Sequence, residues 1–130
     1  IRFYLHDQFT GSNPTSAVVL PPLNNKTLFG QVGILDDKLT KESPINSKLV
    51  GRAKGFLVLD SLSSSSFLQS MTVELEGRKG TIVFHGQNPF TEPQREIAIV
   101  GGTGEFRNVQ GYALTSTIGS EPGGNIAVYE

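Results

Sequence analysis

Two charged residues stand among apolar neighbours in segments that read as β-strands, and they are the clearest chemical signals in the chain. In Arg95-Glu96-Ile97-Ala98-Ile99-Val100 the arginine shares one face with Ile97 and Ile99, while Glu96, Ala98 and Val100 take the other. An unpaired guanidinium beside apolar side chains is costly. Arg95 therefore reaches water at a rim, pairs with a carboxylate, or lines a cavity that needs a cation. In Phe3-Tyr4-Leu5-His6-Asp7 the carboxylate follows Phe3 and Leu5 on one face, opposite Tyr4 and His6. Desolvation there raises the pKa of an Asp and lets it donate a proton near neutral pH, unless backbone N–H groups at a strand end satisfy it.

Other candidates carry less chemistry. Asp36 and Asp37 close the second strand-like segment, about 28 to 36, ahead of Leu39-Thr40. Adjacent strand residues point to opposite faces, so at most one of the two enters a cavity, and turn capping is the ordinary use of Asp-Asp at a strand end. His6 and His85 are the only histidines, and without supporting carboxylate spacing they make no zinc site. No metal or other cofactor is expected. Gly101-Gly102-Thr103-Gly104 looks at first like a phosphate-binding loop, but the Rossmann pattern needs a glycine where Arg107 stands and a following helix. The expectation is instead a tight connection whose glycines adopt positive φ. No Gly-x-Ser-x-Gly elbow supports a hydrolase triad.

The elements that must position these residues are strands. Segments with strand character fall at about 2 to 9, 28 to 36, 49 to 60, 69 to 77, 80 to 87, 94 to 101, 109 to 117 and 124 to 130, punctuated by Ser12-Asn13-Pro14, Pro21-Pro22, Lys41 to Pro44, Ser63 to Ser66, Gly77 to Gly80 and Pro122 to Gly124. No stretch sustains a 3.6-residue apolar period. The short Gly77 to Gly80 connection makes its flanking strands an antiparallel hairpin. Eight antiparallel strands form a sandwich or a closed barrel; a barrel removes the edges that invite aggregation and can enclose one small ligand.

Composition narrows the partners. A chain of 130 residues, 37% hydrophobic and with formal net charge -1, is read as one domain over 1-130 with no electrostatic pull toward nucleic acid or anionic lipid. No apolar run approaches the ~20 residues of a membrane-spanning helix. Cysteine is absent, which removes disulfides, thiolate metal sites and a cysteine nucleophile together. Ile1 is not an initiator methionine, and Arg2 to Leu5 already reads as a strand, so an upstream segment such as a signal peptide is expected to have been removed. Asn25-Lys26-Thr27 is a glycosylation sequon in a polar loop, whereas Asn13-Pro14-Thr15 is disqualified by its proline.

Several stretches together resemble the plant dirigent family. They are Phe3 to Asp7; Phe29-Gly30 through Asp36-Asp37-Lys38-Leu39-Thr40; Leu49-Val50-Gly51-Arg52-Ala53-Lys54-Gly55, with Lys54 where glutamine is usual; Gly86 to Pro89; Arg95 through Arg107; and Gly111-Tyr112-Ala113. They run in the family's order over nearly the whole chain. The resemblance implies an eight-stranded antiparallel barrel, a homotrimer secreted to the plant cell wall or apoplast, and a small phenolic substrate in the lumen. Some members orient phenoxy radicals made by a separate oxidase, a laccase or peroxidase, so that lignans form with one handedness. Others, similar to pterocarpan synthase, close an isoflavonoid ring stereoselectively through a quinone methide.

Carried over by resemblance, Asp7 is the lumen acid of the first strand and Arg95 the cavity arginine. Asp37, Asn88, Leu57, Leu59 and Phe90 are the substrate-side candidates. The chain departs from the pinoresinol-forming branch in two places: its second aspartate falls at Asn88, and its paired tyrosines fall at Leu57 and Leu59. The Gln87-Asn88-Pro89 sequence resembles the branch that contains pterocarpan synthase. Two other readings compete, a noncatalytic carrier using an apolar lumen and a defence or cell-wall scaffold whose lumen would be occluded or free of polar groups.

Overall fold

In the computed structural model, residues 1–121 and 124–129 are described. Among them nine strands run in the order β1 (Phe3–Gln8), β2 (Ser16–Leu20), β3 (Val32–Thr40), β4 (Leu49–Val58), β5 (Phe67–Leu75), β6 (Ile82–Asn88), β7 (Arg95–Gly102), β8 (Gly111–Glu121) and β9 (Gly124–Tyr129), with a 3₁₀ turn at Gly104–Phe106. Every pairing is antiparallel. The sheet follows β1-β9-β8-β7-β6-β5-β4-β3, and β1 pairs again with β3, so it closes on itself. A closed sheet leaves no edge along the ring.

The eight expected strand positions are all present, with two corrections. The second expected strand lies four residues later, at Val32–Thr40, because Leu28 adopts φ 63° and Gly30 φ 94°, backbone shapes that no strand sustains. Asp36 and Asp37 thus sit inside β3 and cap no turn. The ninth strand, Ser16–Leu20, was not anticipated. It shares the rim of β3 with β1: β1 pairs with Lys38 to Thr40 and β2 with Val32 to Leu35. Ala17 to Leu20 are all exposed, so the segment carries none of the alternation that reveals a half-buried strand. Between the two, the excursion from Phe9 to Pro14 is clamped at its base by the Thr15 N–H on the Gln8 carbonyl, 2.8 Å.

The Gly77 to Gly80 hairpin is as expected, joining β5 to β6, with both glycines at positive φ. In the Gly101 to Gly104 connection only Gly104 needs it, at φ 59°. Gly102 is required for another reason: a Cβ there would lie 2.7 Å from the Thr81 carbonyl and run into that of Phe106. His85 lies exposed on β6, while His6, outward by strand parity, is fully buried and holds Thr40 Oγ1 at 2.7 Å through Nε2.

The core fills one end of the lumen. Phe3 stacks on Tyr129 at 5.5 Å, and Phe84 meets both rings edge-on at 6.5 and 6.1 Å. Leu39, Val73, Ile82, Ile97 and Ala113 pack around them. Each of these lies at a lumen-facing step of its strand, so the period-2 pattern converts directly into a plug of interlocked side chains.

A candidate active site in the barrel lumen

Beyond the plug the lumen opens into a cavity of about 420 Å³, a size ordinary for small-ligand sites. Strand parity delivers its polar groups. Following β7 from Ile99 and Ile97, the next inward residue is Arg95; following β5 from Val73 and Met71, it is Gln69; following β6 from Ile82 and Phe84, Asn88 stands two inward steps on. Asp7 comes the same way after Phe3 and Leu5.

These residues form a chain of hydrogen bonds. Arg95 Nε donates to Asn88 Oδ1 at 3.1 Å, Nη1 to the Glu92 carbonyl at 3.3 Å and Nη2 to Thr117 Oγ1 at 3.1 Å. Asn88 Nδ2 donates to Gln69 Oε1 at 2.6 Å, and Gln69 Nε2 to the Tyr129 hydroxyl at 3.4 Å. Of the three fates open to Arg95, the structure selects the cavity. It is 6% exposed and, among the described residues, enters no ion pair. Burial lowers its pKa, with the Tyr129 phenol opposing that shift, yet a guanidinium keeps its proton in a protein. An uncompensated cation therefore faces the lumen, and two of its five N–H groups are left for a ligand.

Asp7 is not a backbone-satisfied strand-end residue: its Oδ1 is buried and has no hydrogen-bond partner. On the next strand, Asp36 and Asp37 separate as parity requires. Asp36 turns outward and accepts from Arg52 Nε at 2.8 Å. Asp37 turns inward, is fully buried, and neither of its oxygens meets an N–H or hydroxyl donor within hydrogen-bond geometry. Its carboxyl is pushed up to about 10, first by burial and then by hydrogen bonding and repulsion from Asp7. Tyr129 is likewise held above the ordinary phenol range, chiefly by burial.

Asp7, Arg95, Asn88, Leu57, Leu59 and Phe90 all line the one cavity. Asp37 does not line it. It interacts instead with the carboxyl of Asp7, which does line the cavity. Sequence reasoning passed over Gln69, Tyr129 and Thr117, as well as the aromatic wall of Phe9, Phe56 and Phe67. Gln69 was within reach of the parity argument, since it interrupts Phe67, Met71 and Val73 as Arg95 interrupts its isoleucines. Phe67 stacks on Phe90 at 5.3 Å, giving the wall a flat aromatic face. Asn25 is exposed, on a turn where Asn24 Oδ1 accepts from the Lys26 and Thr27 N–H groups at 3.1 Å each. Among the described residues no group of three His, Asp or Glu side chains is placed to hold a metal ion.

The fold and site define a closed antiparallel barrel, packed at one end and open at the other into a lumen of small-ligand size lined by a cation, a carboxyl and aromatic walls. The sequence profile of the Dirigent-like protein family matches residues 1–130, and the chain belongs to that family. It is 37% identical over 120 residues to dirigent protein 7 of Arabidopsis thaliana, covering 90% of this chain and 64% of the relative. It is 38% identical over 120 residues to pterocarpan synthase 1 of Glycyrrhiza echinata, covering 87% of this chain and 64% of that protein. The chain thus spans somewhat under two thirds of the length of these two relatives. A solved pterocarpan synthase dirigent protein superposes with a TM-score of 0.89 at 35% identity, covering 99% of this chain and 89% of that one.

Proposed function

We propose that this protein controls the stereochemistry of a plant phenolic intermediate held in the lumen, by proton-assisted ring closure through a quinone methide. The observation that carries the reading is the meeting, in one cavity of about 420 Å³, of Asp7 with an unpartnered carboxylate oxygen and Arg95 with no counter-ion among the described residues. Asp7 exchanges a proton with the hydroxyl that leaves or the oxygen that attacks, and Arg95 holds the phenolic oxygen on which negative charge develops. The stacked Phe67 and Phe90 offer a planar ligand one approach face. A difference of about 1.4 kcal/mol between the two enantiomeric transition states gives tenfold selectivity.

Similarity to pterocarpan synthase and the neutral Asn88 favour ring closure over radical coupling. The scaffold reading fares worse, because it requires a lumen that is occluded or has no polar groups. The deciding assay uses an isoflavanol with a benzylic hydroxyl and a free phenol ortho to the closing position, analysed by chiral chromatography with and without laccase. The expected result is conversion to one enantiomer without oxidant. A change of product handedness only when laccase is present would transfer the reading to radical coupling, and no effect on rate or ratio in either arm would leave the carrier. The same proposal takes the protein to be a secreted apoplastic homotrimer glycosylated at Asn25, with an oxidase partner only in the coupling case. Sedimentation and glycopeptide mass spectrometry of protein from plant tissue test these points.

A further inference from the structure

The lumen chemistry above leaves the buried carboxyl of Asp37 without a task. In the pairing of β1 with β3, Leu5 lies opposite Leu39 and His6 opposite Lys38. One more step of this register sets Asp7 opposite Asp37. Directly opposed residues of an antiparallel pair hold their Cβ atoms about 4.5–5.5 Å apart, a distance at which two carboxyl groups meet. Asp7 Oδ1, Asp37 Oδ1 and Asp37 Oδ2 are all buried without a partner elsewhere in the protein. The Thr15 hydroxyl, which opposes the rise in Asp37, is already engaged, accepting from Gln8 N–H at 3.0 Å and facing the His6 carbonyl at 3.5 Å.

Among the described residues no cation forms an ion pair with either carboxyl. On β4, Ala53 faces Asp37, while the flanking Arg52 and Lys54 turn outward to Asp36 and Glu74. His6 and Lys38 take the outer face of β1 and β3, with Lys38 Nζ on the Ile45 carbonyl at 2.8 Å. Asp36 adds repulsion from the same strand, and from β9 the Tyr129 phenol is itself raised by Asp7. The buried cation described in the lumen, Arg95 on β7, acts on Tyr129 and is hydrogen-bonded to Asn88 and Thr117. Two adjacent buried carboxyls without a cation cannot both be ionised. The donor missing from the three oxygens is a proton of their own.

We infer that Asp7 and Asp37 form a carboxyl pair holding one proton at neutral pH, with Asp7 exchanging that proton with the ligand and Asp37 acting behind it as a positioning residue that fixes its protonation. The consequence for catalysis rests on the ring-closure reading; the existence of the pair does not. In dehydration, the pair's proton goes to the departing hydroxyl, which leaves as water when the C–O bond breaks, and the phenol O–H proton returns to the pair as the quinone methide carbonyl forms. In closure, the second phenol oxygen bonds to the methide carbon and gives its proton to the pair, while the methide oxygen takes the pair's proton and becomes a phenol again. Each step ends with one proton on the pair and needs no oxidant.

Infrared difference spectroscopy of the ligand-free protein tests the pair directly. The wild type should show a protonated carboxyl C=O band at neutral pH that disappears only toward about pH 10, far above the ordinary aspartate value of about 3.9. In Asp37→Asn, whose amide can still donate to Asp7, the band should be lost while the thermal melt remains cooperative. Absence of the band in the wild type, or its persistence in Asp37→Asn, overturns the pair. With an isoflavanol substrate, Asp37→Asn should lose at least about tenfold in kcat/KM near pH 8 and far less near pH 5, because an isolated acid is deprotonated earlier. A merely structural role would lower the whole profile evenly, and that outcome also overturns the pair. If Asp37→Asn does not fold, the wild-type infrared titration decides alone. A band without turnover of any phenolic supports the pair and removes the proposed reaction; turnover without a band does the reverse.

Discussion

The two ends of this barrel's interior are made by the same strands and differ in almost every physical respect. Along the lumen face of β1 the inward residues are Phe3, Leu5 and Asp7; along β5, Val73, Met71 and Gln69; along β7, Ile99, Ile97 and Arg95. Each strand passes from packed hydrocarbon to hydrogen-bonding or charged chemistry at its inward-facing positions. The plug end is satisfied by contact, with three aromatic rings in mutual register. Among the described residues the cavity end is left partly unsatisfied: a cation without a counter-ion and three carboxyl oxygens that meet no N–H or hydroxyl donor within hydrogen-bond geometry. Stability resides mainly at one end and chemistry at the other, and rigid strands transmit the order of the first to the second.

Breaking the plug should therefore be costly to folding. Phe84 is 3% exposed and contacts both Phe3 and Tyr129 edge-on. Phe84→Ala removes a ring from a space that cannot collapse around it, and should lower unfolding free energy by about 3–5 kcal/mol in urea titration. Product handedness, measured at a temperature where the variant is folded, should be retained. If handedness is lost with little stability change, the separation of the two ends is wrong.

The reverse result is expected at the cavity end. Arg95→Leu removes a buried charge that lacks a counter-ion, so the melting temperature should hold or rise. Turnover should fall about 10²- to 10³-fold, the usual effect of losing one donor to a developing oxyanion. The Asp37 carboxyl sharpens the same contrast through pH. It rises from 3.8 to about 10 on folding, so between those values the folded protein retains a proton that the unfolded chain has released. This group's contribution is complete below about pH 4 and is lost as pH rises toward about 10. The slope reaches at most about 1.4 kcal/mol per pH unit. Urea unfolding at about pH 5, 7 and 9 should show falling stability, and Asp37→Asn should flatten the fall. An unchanged slope in the variant would mean that the carboxyl is ionised in the fold.

How much of this was legible beforehand follows from the range of each interaction. Arg95 and Asp7 could be found because a strand has period 2 and each shares a face with apolar residues two and four positions away. An antiparallel all-β domain could be read from strand count and turn punctuation, which left a sandwich and a closed barrel both open; the barrel followed only from the dirigent resemblance. Parity allowed one of Asp36 and Asp37 to face inward without saying which, and turn capping was the favoured ordinary use because the pair reads as a polar strand end. In the fold that polarity divides between an outward ion pair with Arg52 and an inward carboxyl. Its partnership with Asp7 depends on the register between two strands distant in sequence, which local patterns do not encode. β2 escaped because an exposed strand on the rim of β3 has no buried face to impose alternation.

The smallest effect should come from Asn88→Asp, which tests how the two ends are joined. Asn88 uses both sides of its amide, accepting from Arg95 Nε at 3.1 Å and donating to Gln69 Oε1 at 2.6 Å, and Gln69 in turn reaches Tyr129 of the plug. An aspartate preserves the first bond and strengthens it by charge, but places an acceptor against Oε1. Gln69 can turn its amide to donate instead, so the stability change should be about 1 kcal/mol or less. Its turning removes the donor that holds the Tyr129 hydroxyl, and the new carboxylate neutralises Arg95. Both changes weaken the cavity's grip on a phenolate, so affinity for an anionic phenol, read by isothermal titration, should fall by a factor of about ten with little change in melting temperature. An unaltered affinity would show that Arg95 holds its ligand by geometry and not by net charge, and would leave the plug and the cavity linked by packing alone.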